Sequence, residues 1–153
     1  MNIDSFRITK TKFVATSFSG EGARLYGGRW NSVGTRIVYL AGSLSGATLE
    51  LLVHTDDYST ITDLYSYIPV GFPEEYVESI DDAALPTNWD SPTPIAATQQ
   101  MGDAWVSSMS PAVLRVPSAV TSGEKNYLVN PLHPDFPRLI IGHPQEFKVD
   151  PRI

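Results

Sequence analysis

Hydrophobic and polar positions along this chain follow two different periods, and the change from one to the other marks its elements. Residues 5–16 have an extended pattern, and Arg36-Ile37-Val38-Tyr39-Leu40 is a β-branched, aromatic run that predicts a strand. Spacing then predicts a helix from Ser43 to His54, with Ser43 as its cap and Leu44, Ala47, Thr48 and Leu51 on one face. Leu64 to Val70 reads as a strand and Tyr76 to Ile80 as a shorter one. Pro94 is expected in the first turn of a second helix, where a missing N–H costs little. Ile95, Thr98, Gly102, Trp105 and Met109 repeat at helical spacing behind it. Ala112 to Val116 predicts a buried strand stopped by Pro117, and Tyr127–Val129, Leu139–Ile141 and Phe147–Val149 are further strands. Strands outnumber helices and do not alternate with them, so the class expected is α+β, not a doubly wound sheet.

Composition narrows the picture. A chain of 153 residues with 42% hydrophobic and 18% charged residues is globular and has room for one domain. Cysteine is absent, which removes disulfides, thiolate metal sites and a thiol nucleophile. Residues Met1 to Arg7 have no basic stretch leading into an apolar run, and no segment is apolar enough to span a bilayer, so the expected compartment is the cytoplasm. The net charge of −6 argues against direct nucleic-acid binding. Its distribution is uneven: residues 1–48 hold only Asp4 and Glu21 against Arg7, Lys10, Lys12, Arg24, Arg29 and Arg36. A basic region in an acidic protein suits a small anionic ligand.

The stretch richest in chemistry is Gly22-Ala23-Arg24-Leu25-Tyr26-Gly27-Gly28-Arg29-Trp30-Asn31. Paired glycines let backbone approach a ligand, guanidinium suits phosphate, and Tyr26 and Trp30 offer flat faces. The same residues also fit a surface turn with a solvated Arg and a core Trp. The spacing of Gly22 and Gly27 resembles a P-loop, but Gly28-Arg29 stands where Lys-Ser/Thr is required. Gly42-Ser43-Leu44-Ser45-Gly46 has Leu at the centre of what would be a nucleophile elbow. Glu50 falls at the edge of its helix's packing face. There it either stabilises positive charge on a sugar ring or pairs with His54 one turn on. Ser118 follows Pro117 at a strand end, as a site hydroxyl or a turn residue. A triad of Ser118, His133 and an Asp is compatible with chain order, while His54, His133 and His143 make a thin basis for a metal. No metal is expected.

Taken together, Gly28-Arg29-Trp30-Asn31, Val38-Tyr39, Ala47-Thr48-Leu49-Glu50 and Val53-His54 resemble the N-terminal half of a RES domain. Val116-Pro117-Ser118-Ala119-Val120, Asn126 to Pro131 and His133-Pro134-Asp135-Phe136 resemble its C-terminal half, and 147–153 its ending. The likeness spans nearly the whole chain in order, as one domain over 1–153. It implies a split, mostly antiparallel sheet flanked by helices, as in ADP-ribosyltransferase toxins. It also implies the toxin half of a type II toxin–antitoxin pair. Family members degrade NAD+ by hydrolysis or phosphorolysis, and at least one transfers ADP-ribose to a protein. The substrate implied is therefore NAD+. The partner implied is a helix-turn-helix antitoxin whose C-terminal segment blocks the active site, with a toxin homodimer inside a larger complex. The family's naming Arg, Glu and Ser fall on Arg29, Glu50 and Ser118. Carried onto this chain, Glu50, Arg29 and Tyr39 form the catalytic set. Arg7, Arg24, Trp30, Asn31 and Ser118 line the substrate. Two alternatives stand beside NAD+ cleavage: a protein ADP-ribosyltransferase and a non-enzymatic nucleotide-binding module.

Overall fold

Alternation is cleanest in β3 (Tyr65–Pro73), where Ser66, Ile68, Val70 and Phe72 are buried and their neighbours are half-exposed. The computed structural model describes residues 2–54, 64–150 and 152. β1 (Asn2–Lys10) pairs antiparallel with all of β3, from Asn2 opposite Pro73 to Lys10 opposite Tyr65. The extended pattern expected over 5–16 therefore begins earlier and stops at Lys10. Thr11–Thr16 turns instead into a 3-10 helix, with the Thr11 N–H on the Leu64 carbonyl at 2.8 Å.

The remaining strands are β2 (Val38–Ala41), β4 (Val77–Ser79), β5 (Val113–Pro117), β6 (Lys125–Val129), β7 (Ile140–Ile141) and β8 (Gln145–Phe147). They form one sheet in the order β4-β5-β6-β2-β1-β3-β7, with β8 also on β3. Every pairing is antiparallel except β4 with β5. β1 and β2 meet only where Phe6 lies opposite Ala41, so the sheet is split there. The α+β class and the split, mostly antiparallel sheet are as expected. Within it, Pro117 closes β5 as its last residue, and the final strand lies two residues before the expected 147–149. Pro151 and Ile153, part of the ending that carried the resemblance, lie outside the described residues.

Among the described residues three α-helices accompany the sheet: α1 (Glu21–Tyr26), α2 (Leu44–Val53) and α3 (Ala96–Ser107). In α2 the Gly46 N–H donates to the Ser43 hydroxyl at 2.9 Å, so the predicted cap is in place. α3 begins after Ile95, which leaves Pro94 just outside the first turn. It ends before Met109, whose positive φ of 51° breaks the helical repeat there. The glycine-rich stretch concealed α1, which is bracketed by Gly20 and Gly27 at φ 73° and 72°. Both faces of the sheet are covered. Val38, Leu40, Ile68, Val70, Phe72, Val113 and Val129 pack on one side. On the other, Leu114, Val116 and Leu128 pack with Trp30, Ile37 and Trp105 of α3. Burial on both sides explains why 112–116 reads as an apolar run without clean alternation.

Candidate functional site

Residues 28–31 form a tight turn in which the Gly28 N–H donates to the Asn31 carbonyl at 3.0 Å, leaving Arg29 and Trp30 at its corner. Tyr39 on β2 holds this turn from beneath. Its hydroxyl donates to Asn31 Oδ1 at 2.6 Å and accepts the Trp30 N–H at 3.1 Å. A Cβ on Gly28 would lie 2.7 Å from that hydroxyl oxygen, so only glycine fits at this position. Asn31 is fully buried and spreads its side-chain N–H groups over the carbonyls of Ala23, Ser32 and Thr35. Burial pushes the Tyr39 phenol well above its usual range, with Asp103 adding to the rise. A hydroxyl that both donates and accepts inside the protein is suited to positioning, not to proton exchange.

Arg29 is half-buried, and its Nη1 donates to the Trp89 carbonyl at 2.8 Å. Its other guanidinium nitrogens make no hydrogen bond among the described residues. Arg7 reaches across the split from β1, with Nη1 on the Tyr39 carbonyl at 3.0 Å. Arg7 Nε is buried and has no hydrogen-bond partner among the described residues, and burial lowers the pKa of this guanidinium to about 10. Neither arginine has a carboxylate partner among the described residues. An uncompensated buried cation is costly, and an anionic ligand would relieve that cost.

Glu50 on α2 turns away from His54. Its Oε1 accepts the Ser118 hydroxyl at 3.1 Å and Asn126 Nδ2 at 2.9 Å, while Oε2 has no hydrogen bond among the described residues. Ser118 meanwhile accepts the N–H groups of Val120 and Thr121, both at 3.1 Å. This serine therefore caps a turn and at the same time donates to a carboxylate. His133 does not approach it. That imidazole accepts the Asp135 N–H through Nδ1, so no Ser-His pair forms.

Register connects the two halves of the site. Tyr39 lies opposite Leu128 and Ala41 opposite Asn126, so Tyr39 and Asn126 emerge on the same face as diagonal neighbours. The turn bearing Arg29 hangs on Tyr39 and Glu50 hangs on Asn126; both are fastened to one face of the sheet. Arg24 is not brought there, because its guanidinium lies on Glu21, which also receives Arg36 at 2.8 Å. Trp30 is 3% exposed and tilts against Trp89 at 6.3 Å, so it supports the turn from the core and offers no open face. Tyr26, at 84% exposed, points to solvent.

Sequence reasoning missed Asn126. The signal was an amide two positions before Leu128, on the same face of a strand whose last three residues are buried. It also missed the grip of α3 on the turn, where Thr98 Oγ1 donates to the Arg29 carbonyl at 2.7 Å across 69 residues of chain. Among the described residues, no group of His, Asp and Glu large enough to hold a metal ion gathers, and no helix is long and apolar enough to cross a membrane.

Known proteins resemble this chain in sequence and fold. A curated protein of Photorhabdus laumondii named "Toxin Res" is 38% identical over 135 residues, covering 88% of this chain and 86% of its own. A "Toxin Res" of Yersinia enterocolitica is 36% identical over 149 residues and covers 97% of both chains. The "Prs ADP-ribosylating toxin" of a Sphingobium species is 35% identical over 144 residues, covering 92% of this chain and 89% of that one. A chain in the crystal structure of the M. tuberculosis MbcT–MbcA toxin–antitoxin complex has a TM-score of 0.72 at 19% identity. That alignment covers 96% of this chain and 85% of the other, and it establishes likeness of fold. Residues 5–150 match the RES domain model, and the chain belongs to the RES-domain family.

Proposed function

We propose that this chain is the toxin of a toxin–antitoxin pair and that it breaks the nicotinamide–ribose bond of NAD+. One observation carries the reading: two guanidinium groups without carboxylate partners among the described residues, and a fixed carboxylate with one oxygen free of them, are tied to the same strand, β2, and its neighbours. NAD+ presents a pyrophosphate next to a ribose that becomes cationic when nicotinamide departs. Arg29 and Arg7 bind the pyrophosphate, for which guanidinium is the best-suited side chain. Glu50 faces the ribose through Oε2, and Ser118 and Asn126 fix its other oxygen. As the glycosidic bond breaks, nicotinamide leaves neutral with the bonding electron pair. The carboxylate stabilises the oxocarbenium-like sugar until a nucleophile adds to its anomeric carbon. Tyr39 holds the turn that presents Arg29.

The family likeness and the relatives named as toxins support the toxin assignment. By the same likeness the partner is a helix-turn-helix antitoxin whose C-terminal segment covers the pocket, the toxin is a homodimer within that complex, and the compartment is the cytoplasm. A second reading keeps the site and changes the acceptor to a protein side chain; the name of the Sphingobium relative favours it. Incubation of the purified protein with NAD+, with and without phosphate, separates the outcomes. Free nicotinamide with ADP-ribose marks hydrolysis, and ADP-ribose 1-phosphate marks phosphorolysis. A labelled band in lysate given labelled NAD+ marks transfer to protein. If NAD+ persists under every condition, the protein is a binding module and the enzymatic reading falls.

A further inference from the structure

α3 touches the Arg29 turn at successive backbone groups. Gln99 Nε2 donates to the Gly28 carbonyl at 3.0 Å, and Thr98 Oγ1 donates to the Arg29 carbonyl at 2.7 Å. At Gly102 a Cβ would stand 1.6 Å from the Trp30 carbonyl oxygen, so helix backbone and turn backbone are in direct contact. Asp103 completes the set: Oδ1 accepts the Ser32 N–H at 3.1 Å and Oδ2 accepts the Ser32 hydroxyl. Positions 98, 99, 102 and 103 share one helical face. Thr98, Gly102 and Trp105 are buried, so the core fixes that face rigidly. The turn is thus gripped from Gly28 through Ser32 by a helix some 70 residues later in the chain (71 separate Ser32 from Asp103).

We propose that α3 is the platform that sets the direction of the Arg29 guanidinium, and that Asp103 is its positioning residue. The inference rests on the NAD+ reading above and adds to it a residue that never touches substrate. Asp103 carries the only charge in the clamp, and charge-assisted bonds to a backbone N–H and a hydroxyl are its strongest pair. Arg29 and Asp103 both act on the Tyr39 phenol, with opposite signs because their charges are opposite. Without Asp103 the turn keeps its tie to Tyr39 but loses the fixed end at Ser32. Arg29 then samples directions in which its fork misses the pyrophosphate.

The test is a double-variant cycle read as KM and kcat for NAD+. Asp103→Ala, which removes both bonds to Ser32 but acts on substrate only through the direction of Arg29, is expected to raise KM about tenfold with kcat nearly unchanged. Asp103→Asn, whose carbonyl oxygen still accepts the Ser32 N–H, is expected to restore most of that loss. Asp103→Ala added to Arg29→Ala should raise KM no further than Arg29→Ala alone, because both changes remove the same contact. An unchanged KM in folded Asp103→Ala, or additive losses in the double variant, would overturn the proposal. Should Asp103→Ala fail to fold, Ser32→Ala removes the hydroxyl end of the same clamp. It is expected to raise KM about threefold, and no change would count equally against the idea. A wild type that leaves NAD+ intact would remove the functional reading instead. Trypsin cleavage after Arg29, followed by mass spectrometry, then decides the platform alone. Faster cleavage in Asp103→Ala at unchanged Tm supports it, and equal cleavage refutes it.

Discussion

The hydroxyl of Tyr39 is engaged twice inside the protein, as donor to Asn31 and acceptor from Trp30, and burial keeps its proton in place. Tyr39→Phe therefore strands a buried amide oxygen and a backbone N–H, at a cost of about 1–3 kcal/mol for each unsatisfied group. The expected outcome is a lower denaturant midpoint and weaker NAD+ binding, with the pH profile of turnover unchanged in shape. Loss of a titrating limb in that profile would show that Tyr39 handles a proton after all. At this scale much of the site was legible. Arg29 stood out as a guanidinium beside paired glycines, and Glu50 as a carboxylate at the edge of an apolar helix face. Ser118 supported two readings; its hydroxyl oxygen caps the turn and also donates to Glu50. Asp103 was not legible, because a carboxylate on a half-polar helix looks solvated until the fold carries Ser32 to it. Arg24 misled for the opposite reason: its basic charge was visible but its partner was not, since an i,i+3 pair with Glu21 exists only if 21–26 is helical.

That short helix shows what element-scale reasoning requires. Gly20 and Gly27 bracket it with left-handed backbone, and Glu21 ties it to both Arg24 and Arg36. The paired guanidinium groups, the Arg24 bond first, hold the Glu21 carboxyl well below the usual carboxylate range. A carboxylate with a depressed native pKa adds stability above its unfolded pKa and loses it as pH falls through the native value. Glu21→Gln should accordingly lower Tm at neutral pH, and the gap from wild type should close on acidification toward pH 2. A gap that is the same at neutral and acid pH would assign the loss to shape and not to charge. Elements with a strong local signal were read well: α2 by its serine cap, and β3 over Leu64 to Val70, three residues short of its end at Pro73. Those set by distant partners were displaced. β1 ends at Lys10, opposite the first residue of β3, α3 starts two residues after Pro94, and 11–16 curls into a 3-10 helix.

For the molecule as a whole, the consequential feature is a sheet joined at its middle by one residue pair, Phe6 opposite Ala41. Chain order gives no hint that β6 lies between β2 and β5, or that β1 lies between β2 and β3. Yet this order puts Asn126 diagonal to Tyr39 and leaves Arg7 at the split with an unsatisfied Nε. Both the cation-binding and the anion-binding halves of the proposed chemistry depend on it. The family likeness anticipated the split sheet, and residue chemistry without that likeness reached only the α+β class. The central claim is that Arg29 and Glu50 serve one dinucleotide, the first by binding it and the second by stabilising its cleavage. Glu50→Gln separates those roles, because it removes the charge while keeping a group that Ser118 and Asn126 can still hold. The decisive measurement is nicotinamide release beside NAD+ affinity in this variant. The account predicts affinity within a few-fold of wild type and release slowed by at least about a hundredfold. Release at the wild-type rate by folded Glu50→Gln protein would contradict it.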